Sequence, residues 1–323
     1  MLLNPVYLLK SILLLLIFVT NANAYDAENW MSGLDGGAKL GQLAVPGTHD
    51  SGAYDITANV GETQDWSIAE QLNNGIRFFD IRLANNNSSD DFEVRHGPLT
   101  LGSFNNLVMK SVNDFLDLHQ NEVIFMSISD EDTLDKQRLE SDYIYASGSK
   151  FYQGAVNGST ALNTVRGKIV LFNRYNNNTA VGIGWGSLNI QDDYNLDSEC
   201  KEIPTTPWTT QRVCGPFIGL DYPKKAASVL AHFNQAANAY NNAEFWVNFT
   251  SANYYGVYIG NNADWVNPKA RDYIKQSLAP VGSIIVMDYP NRTSAMIDSI
   301  IENTLNAHAS GALVNPAQAA ITP

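Results

Sequence analysis

From residue 43 onward, short apolar runs alternate with amphipathic stretches, and this alternation limits the possible folds more than any other feature of the chain. Runs at Leu43–Val45, Ile76–Leu83, Phe92–Arg95, Val123–Ile128, Lys168–Phe172, Phe217–Leu220, Phe245–Phe249 and Ser283–Met287 carry the β-branched and aromatic residues that strands favour. Between them, Ser103–His119 spaces Phe104, Leu107, Val108, Val112, Phe115 and Leu116 on the period of an amphipathic helix. Pro223 suits the first turn of a second helix reaching about Tyr240, Pro268 opens a third to Leu278, and Thr293–Ala307 reads as a last one. Alternating strands and helices imply a parallel sheet. The strand count over this length fits one α/β domain, a single irregular (β/α)8 barrel of TIM type. The stretch from Asn173 to Gln211 is rich in Asn, Gly and Pro and is expected to form long loops over one barrel end.

The first 24 residues stand apart from this pattern. Lys10 precedes the apolar run Ser11–Thr20, and Ala22-Asn-Ala24 supplies a small-residue cleavage site. This is the layout of a secretory signal peptide, and the run is shorter than the ~20 residues a membrane span needs. Residues 25–323 are therefore expected to be an exported, soluble, monomeric catalytic barrel. In an oxidising compartment Cys200 and Cys214, the only cysteines, are expected to form a disulfide, with a pair of free buried thiols as the alternative. Neither lies at metal-ligand spacing with a histidine. Asn-x-Ser/Thr triplets at Asn86, Asn87, Asn157, Asn177, Asn248 and Asn291 are glycosylation acceptors only in a host with that pathway. A formal charge of -13, from 20 basic and 33 acidic residues, argues against nucleic acid as a partner.

Two of the five histidines stand at strand ends, where barrel enzymes collect their catalytic side chains. His49 lies in Pro46-Gly-Thr-His-Asp-Ser-Gly52 and His96 in Val94-Arg-His-Gly-Pro98. Such a pair suits general acid–base catalysis, since an unperturbed imidazole titrates near ~6.5. Asp50 follows His49, Asp80 and Arg82 share one face of a strand, and Asp288 ends another. Carboxylates would orient the rings and Arg82 would meet developing negative charge. His119, His232 and His308 fall on helical segments or near the C-terminus and are expected to be structural.

These blocks, together with Ile124-Phe-Met-Ser127, Asn248-Phe-Thr-Ser-Ala252 and Ile285-Val-Met-Asp-Tyr289, resemble bacterial-type phosphatidylinositol-specific phospholipase C in order and spacing, from about residue 40 to 305. The resemblance implies an irregular TIM barrel and a metal-independent transphosphorylation. In it His49 would deprotonate the inositol 2-hydroxyl, His96 would protonate the departing diacylglycerol oxygen, and Arg82 would hold a phosphate oxygen. Asp288 would support His49, Asp50 the His96 side, and Asp80 the polar network around the attacking group. The calcium-dependent branch of the superfamily has Asn after its first histidine. Here Asp50 stands there, and Arg82 takes the place of the cation, so no cofactor is expected.

The resemblance further implies that Arg174, Asp192 and Tyr194 bind the inositol ring of a phosphoinositide lipid at a membrane surface. One departure is Ser129, where better-known bacterial members carry a lysine. Trp66, Trp185, Trp208, Tyr254, Tyr255, Tyr258 and Trp265 are candidates for contact with the bilayer, the tyrosine cluster foremost. The resemblance also extends the expected substrate range to glycosylphosphatidylinositol anchors. A phosphodiesterase for another phospholipid or glycerophosphodiester, and a non-catalytic lipid- or glycan-binding barrel, are the alternatives at this level.

Overall fold

The computed structural model describes residues 25–56, 61–86, 90–176, 182–206, 209–216, 219–277 and 279–311. The proposed signal segment 1–24, Asn87, Asn177 and Trp208 lie outside the described residues. In chain order the first half contains β1 (Val45–Thr48), α1 (Ile68–Asn73), β2 (Phe78–Asn85), β3 (Phe92–His96), β4 (Leu99–Ser103), α2 (Lys110–Leu118), β5 (Ile124–Asp132) and α3 (Lys136–Leu139). The second half contains β6 (Ile169–Asn173), β7 (Ile183–Gly184), β8 (Asn189–Gln191), β9 (Cys200–Thr206), β10 (Thr209–Cys214), α4 (Tyr222–Asn238), β11 (Trp246–Phe249), α5 (Ile259–Gln276), β12 (Ile284–Met287) and α6 (Met296–Ala309).

Eight strands form one curled, wholly parallel path in the order β7-β6-β5-β2-β1-β12-β11-β8. Each strand thus pairs with its sequence neighbour around the barrel, and β12 returns to β1. Among the described residues the one break is between β7 and β8, which makes the TIM barrel irregular. The interior is filled by layers of apolar side chains. Phe78, Phe125, Phe172 and Phe245 meet edge to face there, with centroids 5.1–6.3 Å apart.

At the N-terminal end of the barrel, fully buried Arg77 pairs with Glu122 at 2.9 Å. It also donates to the carbonyls of Leu72, Ile76, Ala27 and Glu28, while Glu122 accepts from Met31 N–H. One ion pair therefore ties the chain's first described turns to the barrel floor.

Four expectations need correction. Phe92–Arg95 is not a barrel strand: β3 runs antiparallel to β2 and turns through Gly97-Pro98 into β4. Gly97 has φ +55°, which its lack of a side chain permits. Of the run Phe217–Leu220, residues 217 and 218 lie outside the described set, and among the described residues Leu220 makes an isolated bridge to Ser198 rather than a barrel strand. The missing barrel strands are instead β7 and β8, inside the stretch expected to be loop. That stretch also forms the β9–β10 hairpin, closed at its base by the Cys200–Cys214 disulfide. Finally, Pro268 lies inside α5, which starts at Ile259. The buried asparagines Asn262 and Asn267 turn the first half of α5 inward by hydrogen bonding to Thr250. Asn248 is fully buried in β11, so its triplet is no acceptor in the folded protein.

Candidate active site

The C-terminal ends of the barrel strands converge on a charged cluster. His49 leaves β1 with its N–H bonded to Met287 O, and Gln64 Nε2 donates to both His49 O (2.8 Å) and Met287 O (2.9 Å). The backbone then turns left-handed at Asp50, φ +41°, a region that Asp tolerates better than most residues. That turn swings the Asp50 carboxylate inward over the barrel.

Asp50 is the hub. Its Oδ2 lies 3.3 Å from Nε2 of both His49 and His96, and its Oδ1 lies 2.6 Å from Arg82 Nε. Arg82 NH2 donates to His49 Nε2 at 2.9 Å and stands 3.6 Å from Asp80 Oδ2. A guanidinium can only donate, so Nε2 is the unprotonated nitrogen of His49 in this arrangement. The other nitrogen, Nδ1, faces Asp288 Oδ1 at 2.8 Å. His96 is delivered by the β3–β4 arm rather than by a barrel strand. Its Nδ1 meets Gly61 O at 2.6 Å, leaving Nε2 toward Asp50.

Burial alone would pull the His49 pKa down, but the carboxylates of Asp50 and Asp288 outweigh it and Arg82, pushing the value up to about 9. Burial also raises the Asp288 carboxyl, with His49 opposing. The raised His49 value favours its imidazolium form, so the neutral ring that the Arg82 contact requires prevails only above that pH. For Asp80, burial is overcome by Arg82, Arg174 and His49, and its carboxyl is held below the usual range. The Arg82 guanidinium is held charged by Asp50 and Asp80 against its own burial.

Arg174, just past β6, reaches Asp80 Oδ1 at 3.5 Å and lies 4.8 Å over the Trp185 ring. Tyr194 sets its ring edge-on to His49, centroids 6.3 Å apart. The structure thus brings His49, Asp50, Asp80, Arg82, His96, Asp288, Arg174 and Tyr194 together. Asp192 is exposed, two residues before Tyr194, and its charge acts on Lys225 alongside that of Asp288. Ser129 is buried beside Arg82 in the β2–β5 register.

Three participants escaped sequence reasoning. Glu131 accepts from Gly97 N–H at 2.9 Å and lies 3.9 Å from Arg82 NH1. Its signal was two-residue spacing from Ser129, on the same strand face. Lys225 is buried at the start of α4 and donates to Gln191 Oε1 and Asp193 O, holding the segment that carries Tyr194. Burial lowers its pKa to about 8 against the pull of Asp192, Asp193 and Asp288. Tyr289, next to Asp288, is the third. His119, His232 and His308 lie away from the cluster, bonded to Asn29, set edge-on to Trp246, and accepting from Asp35 N–H, respectively.

His49, Asp50 and Asp80 offer ligand atoms within 4.8 Å of one another, as a cation site would. The Arg82 guanidinium contacts all three of these residues and is itself the positive charge there.

The rim is partly aromatic. Trp66 and Trp185 pack against the core, and Trp265 stacks on Tyr222 beneath Lys269. Exposed apolar surface falls instead on Tyr255 (88%), Val257 and Tyr258.

Residues 51–175 match the family model described as phosphatidylinositol-specific phospholipase C, X domain. That span contains Asp80, Arg82, His96, Glu131 and Arg174. Similarity also extends along most of the chain. It is 28% identical over 310 residues to the 1-phosphatidylinositol phosphodiesterase of Listeria monocytogenes, covering 87% of this chain and 86% of that protein. It is 28% identical over 305 residues to the enzyme of the same name from Staphylococcus aureus strain Newman, covering 87% and 94%. The solved phosphatidylinositol-specific phospholipase C from Listeria monocytogenes superposes with a TM-score of 0.68 at 26% identity, over 86% of this chain and 98% of that one. Barrel and relatives agree: the chain carries a match to the phosphatidylinositol-specific phospholipase C X domain and is similar along most of its length to bacterial 1-phosphatidylinositol phosphodiesterases.

Proposed function

We propose that the chain is a metal-independent phospholipase C that cleaves phosphatidylinositol by intramolecular transphosphorylation. The observation that carries the mechanism is the convergence of His49 Nε2 and His96 Nε2 on one carboxylate oxygen of Asp50, with the Arg82 guanidinium between the same groups.

His49 Nε2, the unprotonated nitrogen, takes the proton of the inositol 2-hydroxyl. The freed oxygen attacks the neighbouring phosphorus and forms the second ester bond of a cyclic phosphate. The bond from phosphorus to the glycerol oxygen breaks, and His96 Nε2 supplies that oxygen with a proton, releasing diacylglycerol. Arg82 pairs with a non-bridging phosphate oxygen as charge accumulates, a task suited to a planar, permanently charged guanidinium. Asp288 holds His49 in its Nδ1–H form and stabilises the imidazolium after proton transfer. Asp50 holds the proton-bearing side of His96, and Asp80 keeps Arg82 and Arg174 in place. Arg174 and Tyr194 meet the inositol ring, with Asp192 reaching it from its exposed position. A divalent cation is disfavoured where Arg82 already stands, because like charges at such distances repel strongly in a buried site.

The same reading extends to residues 25–323 as a secreted, monomeric barrel acting on membrane phosphoinositide, with glycosylphosphatidylinositol as a second substrate. Export is supported by the disulfide, a bond of oxidising compartments. Among the described residues no helix is long and apolar enough to cross a membrane. Contact with the bilayer falls to Tyr255, Val257 and Tyr258. Release of water-soluble inositol phosphate from labelled lipid tests the assignment. His49→Ala and His96→Ala should each abolish it, and unchanged release in either variant would sink the mechanism.

A further inference from the structure

We infer that Tyr289 is a positioning residue for His96, acting through the backbone carbonyl of Gly61; this rests on the acid role proposed for His96. Asp288 and Tyr289 are consecutive at the end of β12, yet they serve different histidines. Asp288 bonds His49 Nδ1 directly. Tyr289 turns left-handed (φ +44°), which sends its side chain to the other side of the mouth. There its N–H donates to Thr63 O at 2.9 Å and its hydroxyl donates to Glu62 O. The following residues extend the grip. Asn291 Nδ2 and Arg292 Nε each donate to Asp65 Oδ2 at 2.9 Å, Arg292 NH2 donates to Asp65 Oδ1 at 2.7 Å, and the guanidinium lies 3.5 Å over the Tyr289 ring.

The held segment, 61–65, begins with the carbonyl that His96 uses. Gly61 O accepts from His96 Nδ1 at 2.6 Å. The contact is close enough that a Cβ on Gly61 would come within 3.2 Å of His96 Nδ1, and φ +83° already favours glycine. The Tyr289 hydroxyl thus holds the peptide unit next to the one whose carbonyl fixes the His96 ring, and its N–H holds the unit after that. Tyr289 touches neither the reacting atoms nor His96 itself. Its effect is to keep Gly61 O in place, so that Nδ1 stays the bonded nitrogen and Nε2 remains the one that delivers a proton.

A residue that positions a general acid matters only when the leaving group needs a proton. Tyr289→Phe keeps the ring and removes the hydroxyl. Its rates, with those of His96→Ala, are measured on phosphatidylinositol in detergent micelles and on myo-inositol 1-(4-nitrophenyl phosphate), whose phenolate departs without help. On the lipid, Tyr289→Phe should lower kcat roughly ten- to a hundredfold with KM unchanged, less than the loss of a whole acid. On the nitrophenyl ester the loss should shrink to within about twofold, following the trend of His96→Ala. In nitrogen NMR of histidine-labelled protein, the Nδ1–H signature of His96 should be single in the parent and mixed in Tyr289→Phe.

Equal losses on both substrates would mark Tyr289 as merely structural and overturn the inference, as would full activity on the lipid or an unchanged NMR signature. If His96→Ala itself lost equally on both substrates, the acid role of His96 would fall and the inference with it. Sensitivity to the leaving group in His96→Ala but not in Tyr289→Phe would overturn the inference alone.

Discussion

Arg82 donates to His49 at 2.9 Å, guanidinium NH2 to imidazole Nε2, so the proposed base is held by the proposed phosphate ligand before substrate arrives. The contact is made by the neutral form of His49, whereas the carboxylates of Asp50 and Asp288 push its pKa up to about 9 and favour the protonated form. An incoming inositol hydroxyl has to take the place of that donor at Nε2 while the phosphate takes up the guanidinium. Substrate therefore exchanges one set of contacts for another.

Arg82→Lys tests this directly. A lysine carries the charge but cannot reach Asp50, Asp80 and His49 at once from one planar group. The expected loss in kcat is on the order of a hundred- to a thousandfold, the range for removing one preorganised donor. Activity of the parent protein should be unaffected by EDTA. A near-normal rate for Arg82→Lys would show that charge alone suffices.

The pH dependence has a definite sign. His49 works as a base only when unprotonated, so kcat/KM should rise as pH climbs toward about 9. Asp288→Asn removes one of the carboxylates that raise this pKa. The rising limb should then move to lower pH while the plateau falls through loss of ring orientation. A limb that stays put, measured between about pH 6 and pH 10, would assign it to another group.

Glu122 makes a prediction about stability alone. Arg77 and Glu122 are fully buried at the barrel end remote from the cluster, and Glu122→Ala would leave the Arg77 charge without its counter-ion. The expected cost is about 3–5 kcal/mol in denaturant unfolding. Activity at low temperature should survive, since no proposed site residue touches the pair.

Tyr255→Ala should separate docking from chemistry. Tyr255 is the most exposed aromatic of the rim loop. If it enters the bilayer interface, its removal should weaken vesicle binding by roughly 1–2 kcal/mol, about five- to thirtyfold. Turnover of a short-chain monomeric substrate should stay within about twofold. Equal losses on both would place the residue in the fold or the site.

Much of the site was legible because it follows apolar runs. His49 and Asp50 come straight after β1, Asp288 straight after β12, and the spacing of Asp80 and Arg82 puts both on one strand face. The less legible parts have physical reasons. β7 and β8 are too short to carry a strand pattern, and their pairing with β6 and β11 fixes them. β3 alternates as a half-buried barrel strand would, and only the Gly97-Pro98 turn signals a hairpin. The first half of α5 buries Asn262 and Asn267, polar residues that a periodicity argument assigns to solvent. Lys225 and Tyr289 act through neighbouring segments, and no spacing rule connects them to the cluster.

The central claim is that the proposed cyclisation proceeds through His49, His96 and Arg82 without a metal ion. Phosphorus NMR of phosphatidylinositol vesicles incubated with the protein in EDTA tests it most directly. The account predicts a cyclic inositol phosphate resonance as the first phosphorus-containing product, absent with His49→Ala. An acyclic inositol phosphate appearing first, or a reaction that stops in EDTA and returns with a divalent cation, would contradict it.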